Sequence, residues 1–238
     1  MPSESTHHIG GPLTTAIGLA LTAGYVDAFV YRNVFPVFVA NMSGNLVRTG
    51  MSIGDLDLHA VFASLLAIAA FAVGVSVATT MVDRQVGRGQ PLRPEPLARL
   101  EVVLLVLVSA IALRPAASFS DRLTPTKVVV VALASAAMGV QAIGLRKVGQ
   151  VAVSTTYGTG AIVRLGEKLS LALRRSPHAH TIGRRHSVRV LATVLASYVA
   201  GAALASALPD RRWLLAAAPS LMLVVAHWLH DDPEPALV

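Results

Sequence analysis

Long apolar runs separated by short polar stretches dominate the chain. Residues 14–31, 60–82, 99–117, 127–146, 188–208 and 212–230 each come close to or exceed the roughly 20 residues an α-helix needs to cross a hydrocarbon core roughly 30 Å thick. Two further stretches differ in kind: residues 35–50 (FPVFVANMSGNLVRTG) and 150–166 (QVAVSTTYGTGAIVRLG) are apolar at their ends and small or polar in the middle. As helices they would reach only about 25 Å at 1.5 Å per residue, short of the core, and their Gly, Ser and Thr content favours broken backbone. The pattern predicts an all-α membrane protein of six transmembrane helices with two short broken or re-entrant segments. Its organisation is a cytoplasmic tail over 1–13, a single membrane domain over 14–230 and a cytoplasmic tail over 231–238.

Charge in the loops selects this topology. With six spans, stretches 83–98 and 147–187 lie on one side together with both termini. That side, counted to the span ends, gathers Arg84, Arg88, Arg93, Arg146, Lys147, Arg174, Arg175, Arg184 and Arg185. The positive-inside bias makes it the cytoplasm, and the expected location is a bacterial inner membrane. An eight-span arrangement, with both short stretches crossing, would scatter the same charges almost evenly.

Composition agrees with a lipid-covered chain. Of 238 residues, 54% are hydrophobic and 14% charged, and the mean hydropathy is +0.62, more apolar surface than one soluble domain can hide. The net charge of +7 could point to nucleic acid, but in such a chain it is accounted for by cytoplasmic loops, and no nucleic-acid partner is expected. The absence of cysteine removes disulfides, thiolate metal sites and thiol nucleophiles. The opening MPSESTHHIGGPLTT lacks the basic region and cleavage site of a secretory signal, so the first apolar run is expected to stay as a span.

The chain also repeats itself. AGYVDAFVYRNV (23–34) matches AMGVQAIGLRKV (137–148), and SGNLVRTG (43–50) matches TGAIVRLG (159–166), in the same order. Asp27 falls on Gln141, Arg32 on Arg146, Gly44 on Gly160 and Arg48 on Arg164. Repeat one covers about 14–117 and repeat two about 127–230. Each holds three crossings, and an odd number turns the second upside down, giving two inverted three-helix repeats. In transporters built this way the pathway lies between the repeats, lined by discontinuous helices.

At these residues the resemblance becomes specific. GYVDAF followed by FVANMSGN, with AMGVQA and TYGTG later, resembles the YoaK family of bacterial membrane proteins, a domain of unknown function, over nearly the whole chain. The family's Gly-x-x-Asp corresponds to Gly24 and Asp27, and its Thr-Gly-Asn triplet to Ser43, Gly44 and Asn45, where Ser keeps the hydroxyl. Its Gln near the end of the fourth span and the later Thr-Gly pair correspond to Gln141, Thr159 and Gly160. The resemblance implies a six-span bacterial membrane protein and carries over no activity.

The residues suited to chemistry each have a structural alternative. Asp27 in a span costs about 2.5–3.5 kcal/mol on insertion scales. It can bind a cation or relay a proton, or it can simply lock against Arg32, Arg48 or Arg146. Asn41, Ser43, Gly44 and Asn45, with Thr155, Thr156, Tyr157, Thr159 and Gly160 opposite, can line a polar pathway with Gln141, or can satisfy broken backbone that lipid cannot. Arg48 and Arg164 can attract an anion or pair with a carboxylate, or snorkel to the interfaces. The basic stretch 174–189, with His178, His180 and His186, reads as a topology-setting loop open to anionic lipid; it has no carboxylate to complete a metal site. His227 and His230 read as an interfacial helix end. Ser43 has no His placed as its base, so no catalysis is expected. Small-residue patterns at Ala70–Gly74 and Ala200–Ala205 allow close helix packing, within the chain or in a homo-oligomer. The expectation is therefore a transporter or channel for a small polar solute or ion, needing no cofactor or metal, whose pathway lies at the repeat interface. The alternative is a membrane scaffold or sensor.

Overall fold

The computed structural model describes residues 10–89, 93–112, 123–144, 147–148, 151–152, 158–173, 181–207, 218 and 222. Over these the regular structure is helical apart from a two-residue antiparallel ladder. The elements are α1 (Gly10–Asn33), α2 (Met42–Gly54), α3 (Leu58–Gly87), α4 (Glu95–Ala112), α5 (Pro125–Gly144), β1 (Lys147–Val148), β2 (Val151–Ala152), α6 (Gly158–Leu173) and α7 (Thr181–Ala207).

Four helices are both long and apolar enough to cross a bilayer, over residues 13–33, 58–87, 125–144 and 187–207. The expected span over 99–117 corresponds to α4, whose 18 residues include Glu95, Arg99 and Glu101, too many charges for the same criterion. The stretch expected over 212–230 lies outside the described residues except for Ala218 and Met222, which are helical and buried in the main core. Burial sorts the long helices. In their most apolar windows α1 is 72% and α5 61% buried, whereas α3 and α7 are each 33% buried, so α1 and α5 sit centrally. On α3 the outward positions Phe62, Leu65, Val73 and Val77 are exposed, an apolar stripe that suits lipid.

The helices pack in a recurring pattern. α1 lies against α7 and α5 against α3, while α2 packs on α3 and α6 on α7. Both long-helix contacts are built on glycine. A Cβ on Gly24 would overlap the Tyr198 carbonyl and one on Gly201 the Leu21 carbonyl; a Cβ on Gly139 would overlap the Phe71 carbonyl and one on Gly74 the Ala136 carbonyl. In every case the glycine meets a carbonyl three residues before the glycine of the partner helix. Such backbone approach excludes any side chain and suits helices that cannot rely on a hydrophobic drive within lipid. The short helices also correspond, since α2 and α6 each begin two residues before their matched glycines, Gly44 and Gly160.

Stretch 35–50 divides into buried irregular backbone followed by α2. Val34, Phe35, Val37, Val39 and Ala40 are all buried without being helical, and Pro36 interrupts helical bonding. At 13 residues, α2 reaches about 20 Å, and α6, at 16, about 24 Å; neither crosses a bilayer core alone. Its N-cap is Asn41, whose side-chain oxygen accepts from the Gly44 amide at 3.2 Å. Its C-terminus closes in a Schellman turn: Asp57 N–H donates to Ser52 O at 2.9 Å and Leu56 N–H to Ile53 O at 3.2 Å. Leu56 has φ +57°, a left-handed conformation that costs an L-residue roughly 1–2 kcal/mol and normally holds glycine. Leu56 is 83% exposed, so Leu56→Gly gives up little contact. It is expected to stabilise the protein by about 0.5–1 kcal/mol, read as a higher unfolding midpoint in detergent.

Candidate functional site

The sequence singled out Asp27, and the fold surrounds it. It lies four turns into the long, central α1, and is 2% exposed. The chain leaves α1 at Asn33, folds back through 34–41 and lays two backbone amides on the carboxylate: Oδ1 accepts from Val39 N–H at 2.5 Å and from Ala40 N–H at 2.9 Å. Oδ2 accepts from the Tyr198 hydroxyl of α7. One side chain thus ties a helix, an irregular segment and a helix 171 residues away. Of the expected arginine partners, the exposed Arg32 and the partly buried Arg48 take no part in these bonds; Arg146 lies outside the described residues.

A second clamp finishes the segment. Asn45, fully buried on α2, donates from Nδ2 to the Phe38 carbonyl at 2.6 Å and accepts at Oδ1 from the Phe38 amide at 2.9 Å, as a neighbouring strand would. Phe38 also stacks on Tyr31 of α1, ring centroids 4.7 Å apart. The Ser43 hydroxyl donates to Asn41 Oδ1 at 2.8 Å. Irregular backbone at membrane depth is tolerated where the protein itself satisfies it, and these side chains do so. Asp27, Asn41, Ser43, Gly44 and Asn45 therefore form one cluster, with their hydrogen bonds directed at the chain itself.

The other candidates fall elsewhere. Gln141 is 1% exposed on α5 and donates from Nε2 to the Leu19 carbonyl of α1 at 3.0 Å. Leu19 is eight residues before Asp27, about 12 Å along the helix, so Gln141 belongs to a different region. Thr155, Thr156, Tyr157 and the side chain of Thr159 lie outside the described residues, while Gly160 is exposed in the first turn of α6. Arg48 is partly buried on α2, and its Nε has no partner among the described residues. Arg164 is exposed on α6. The basic stretch from Arg174 to His186 is likewise outside the described residues or side chains. Among the described residues no group of three His, Cys, Asp or Glu could hold a metal.

Three features escaped the sequence reading. Tyr198 is the partner of Asp27; a buried Tyr O–H seeks an acceptor, but α7 also carries Thr193, Ser197 and Ser206, so this hydroxyl did not stand out. Thr22, Tyr25, Ser64 and Ser135, on α1, α3 and α5, are buried and their hydroxyl oxygens have no partner among the described residues. Glu101 is 2% exposed on α4.

Comparison with known proteins agrees with this membrane architecture. The family model described as a protein of unknown function, DUF1275, matches residues 15–229. The chain belongs to the DUF1275 family. It is 34% identical over 193 residues to the UPF0700 transmembrane protein YoaK of Bacillus subtilis (strain 168), covering 81% of this chain and 82% of that protein. No solved structure matches it. The DUF1275 match runs from the first turns of α1 through α7, so it takes in the Asp27 cluster and both glycine contacts. With four long apolar helices, this DUF1275 member is an integral, multi-pass membrane protein.

Proposed function

We propose that the protein is a transporter or channel for a small polar solute or ion, built as two inverted three-helix repeats in a bacterial inner membrane with both termini in the cytoplasm. The observation that carries this reading is the set of four buried hydroxyls, Thr22, Tyr25, Ser64 and Ser135, with no partner among the described residues. In a helix a Ser or Thr readily bonds the carbonyl four residues back, as Ser76, Thr80, Ser109 and Ser197 do here. Hydroxyls left over on central helices are a cost in lipid unless they face something polar. The helices that carry them, α1, α3 and α5, contribute to one hydrophobic core.

The repeat reading rests on the packing. The first helix of each repeat lies against the second long helix of the other, by the same glycine-to-carbonyl contact, which is the arrangement a two-fold relation between repeats would produce. In this reading the Asp27 cluster is a latch that holds the broken segment against α7, while the hydroxyls line the route. A scaffold or sensor is the second reading. It is favoured by the complete internal bonding of Asp27, whose oxygens are turned to the protein rather than to a pathway.

Flux measurements in proteoliposomes decide between them. A panel of ions and small metabolites, with proton flux, is compared for wild type, Thr22→Val and Ser135→Ala after all three are shown to fold and reconstitute equally. Loss of one solute hydrogen bond is worth about 1–1.5 kcal/mol, so each variant is expected to lower flux about five- to tenfold. Absence of flux across the panel in intact wild-type protein would replace transport with the scaffold.

A further inference from the structure

Among the described residues the bundle buries two carboxylates, and they are treated in opposite ways. Around Asp27 the fold supplies two amides and a hydroxyl, each aimed at an oxygen. Glu101 is buried as deeply, yet its Oε1 has no hydrogen-bond partner among the described residues. It borders a small cavity between α4, α1 and α5, lined by Thr15, Leu19, Leu97, Val140, Gln141 and Met222 besides Glu101 itself. The cavity continues to Pro94, just before α4, and to Gly144, the last residue of α5.

We propose that Glu101 is a proton-binding site, exchanging its proton through the cavity it shares with Pro94 and Gly144. An isolated carboxylate taken out of water is far too costly to persist without a counter-charge. Among the described residues no other ionisable side chain lines the cavity: α1 presents Thr15 and Leu19, α5 presents Val140, Gln141 and Gly144, and Met222 closes it. On α4 itself Arg99 is exposed, and Glu95 stands at the first turn of the helix, six residues before Glu101. Lys127 is 14 residues from Gln141 on α5, about 21 Å along the axis, and lies over the Phe35 ring.

Among the described residues no cation faces Glu101, and the neutralising charge in this proposal comes from outside. Hard metal cations want about six or more oxygens, whereas the lining offers side-chain oxygens from Glu101, Gln141 and Thr15 only. A proton needs one. The group converts between carboxylate and carboxylic acid, and no other bond changes. This inference does not depend on transport, because a scaffold would hold the same proton.

Carbodiimide labelling tests it on the full chain in liposomes, since dicyclohexylcarbodiimide is apolar and reacts with protonated carboxyls. Peptide mapping of the wild type by mass spectrometry is expected to place the adduct on Glu101, at least about tenfold above Asp27 and Glu95. Labelling should fall about tenfold per pH unit above its midpoint, and exchange of choline for sodium at fixed pH and ionic strength should leave it unchanged. Infrared difference spectra should show one protonated-carboxyl band that Glu101→Gln removes. Protection by sodium would overturn the proton in favour of an alkali-ion site. Absence of a Glu101 adduct together with absence of the band, or labelling that does not respond to pH, would sink the proposal outright.

Discussion

Asp27→Ala is expected to be the most damaging change of a single side chain's chemistry in this protein, costing about 3–5 kcal/mol. The substitution leaves Val39 N–H, Ala40 N–H and the Tyr198 hydroxyl without their acceptor, in an interior where water does not replace it. A buried hydrogen bond to a charged group is worth about 1.5–3 kcal/mol, and orphaned donors add their own desolvation cost. Asp27→Asn keeps one acceptor oxygen for the amides and should be milder. Tyr198→Phe removes one of the three bonds and should cost about 1.5–3 kcal/mol. The measurement is unfolding in detergent or bilayers for both single variants and the double variant, analysed as a cycle. A coupling energy near zero between Asp27 and Tyr198 would show that the bond between them contributes nothing to stability.

The second large effect is steric. Gly24→Leu and Gly201→Leu each drive a side chain into backbone of the opposite helix, at the Tyr198 and Leu21 carbonyls. Backbone cannot move aside as a flexible side chain can, so α1 and α7 must separate along their contact and lose the close packing that holds them in lipid. Overpacking alone costs typically 1–3 kcal/mol, and here parting the helices also pulls Tyr198 from Asp27. Gly24→Leu is therefore expected to reduce folded yield to a small fraction of wild type. Gly50→Leu is the control, since a Cβ there meets nothing within 4 Å. Size-exclusion profiles and thermal midpoints of the pair provide the check; equal behaviour would mean that the α1–α7 contact is looser than described.

Much of this was legible in the sequence, and where it was not, the reason is physical. Lipid-spanning runs announce themselves by apolarity alone, so α1, α3, α5 and α7 appear near their expected positions. α4 also begins near its predicted span and carries its three charged residues at the start. The break after α1 was readable because small and polar residues interrupt the apolar run in the middle of stretch 35–50. The chemistry of that break was readable in kind only. Asn41 and Asn45 were offered as pathway or as backbone partners, and in the fold they bond backbone.

What failed was the reading of helix faces. In a soluble helix, polar and apolar residues mark the two sides, but beyond Glu101 α4 is apolar almost all round. Its inward row of Leu97, Ala98, Glu101, Leu105 and Val108 therefore looks in sequence like its outward row of Val103, Val106 and Leu107. Glu101 stands beside Glu95 and Arg99 near the helix start, and nothing in that stretch marks it as the buried one. Tyr198 was missed likewise, since nothing in the sequence of α7 distinguishes the side facing α1. Gln141 was expected on one pathway with Asp27, yet it bonds the Leu19 carbonyl, about 12 Å along α1 from Asp27.

The bond between Asp27 and Tyr198 spans 171 residues, and that separation has a consequence for biogenesis. At 5–20 residues per second of synthesis, Asp27 enters the membrane on the order of 10–30 s before its hydroxyl partner has been made. During that interval the 34–41 segment has the amides to hold one carboxylate oxygen, but nothing fastens it to the rest of the bundle. The nascent chain must then carry an incompletely bonded acid in the membrane until α7 arrives. A chain stalled or truncated before Tyr198 should accordingly be recognisable to membrane proteolysis, and a separately expressed second half should rescue the first by supplying the missing hydroxyl.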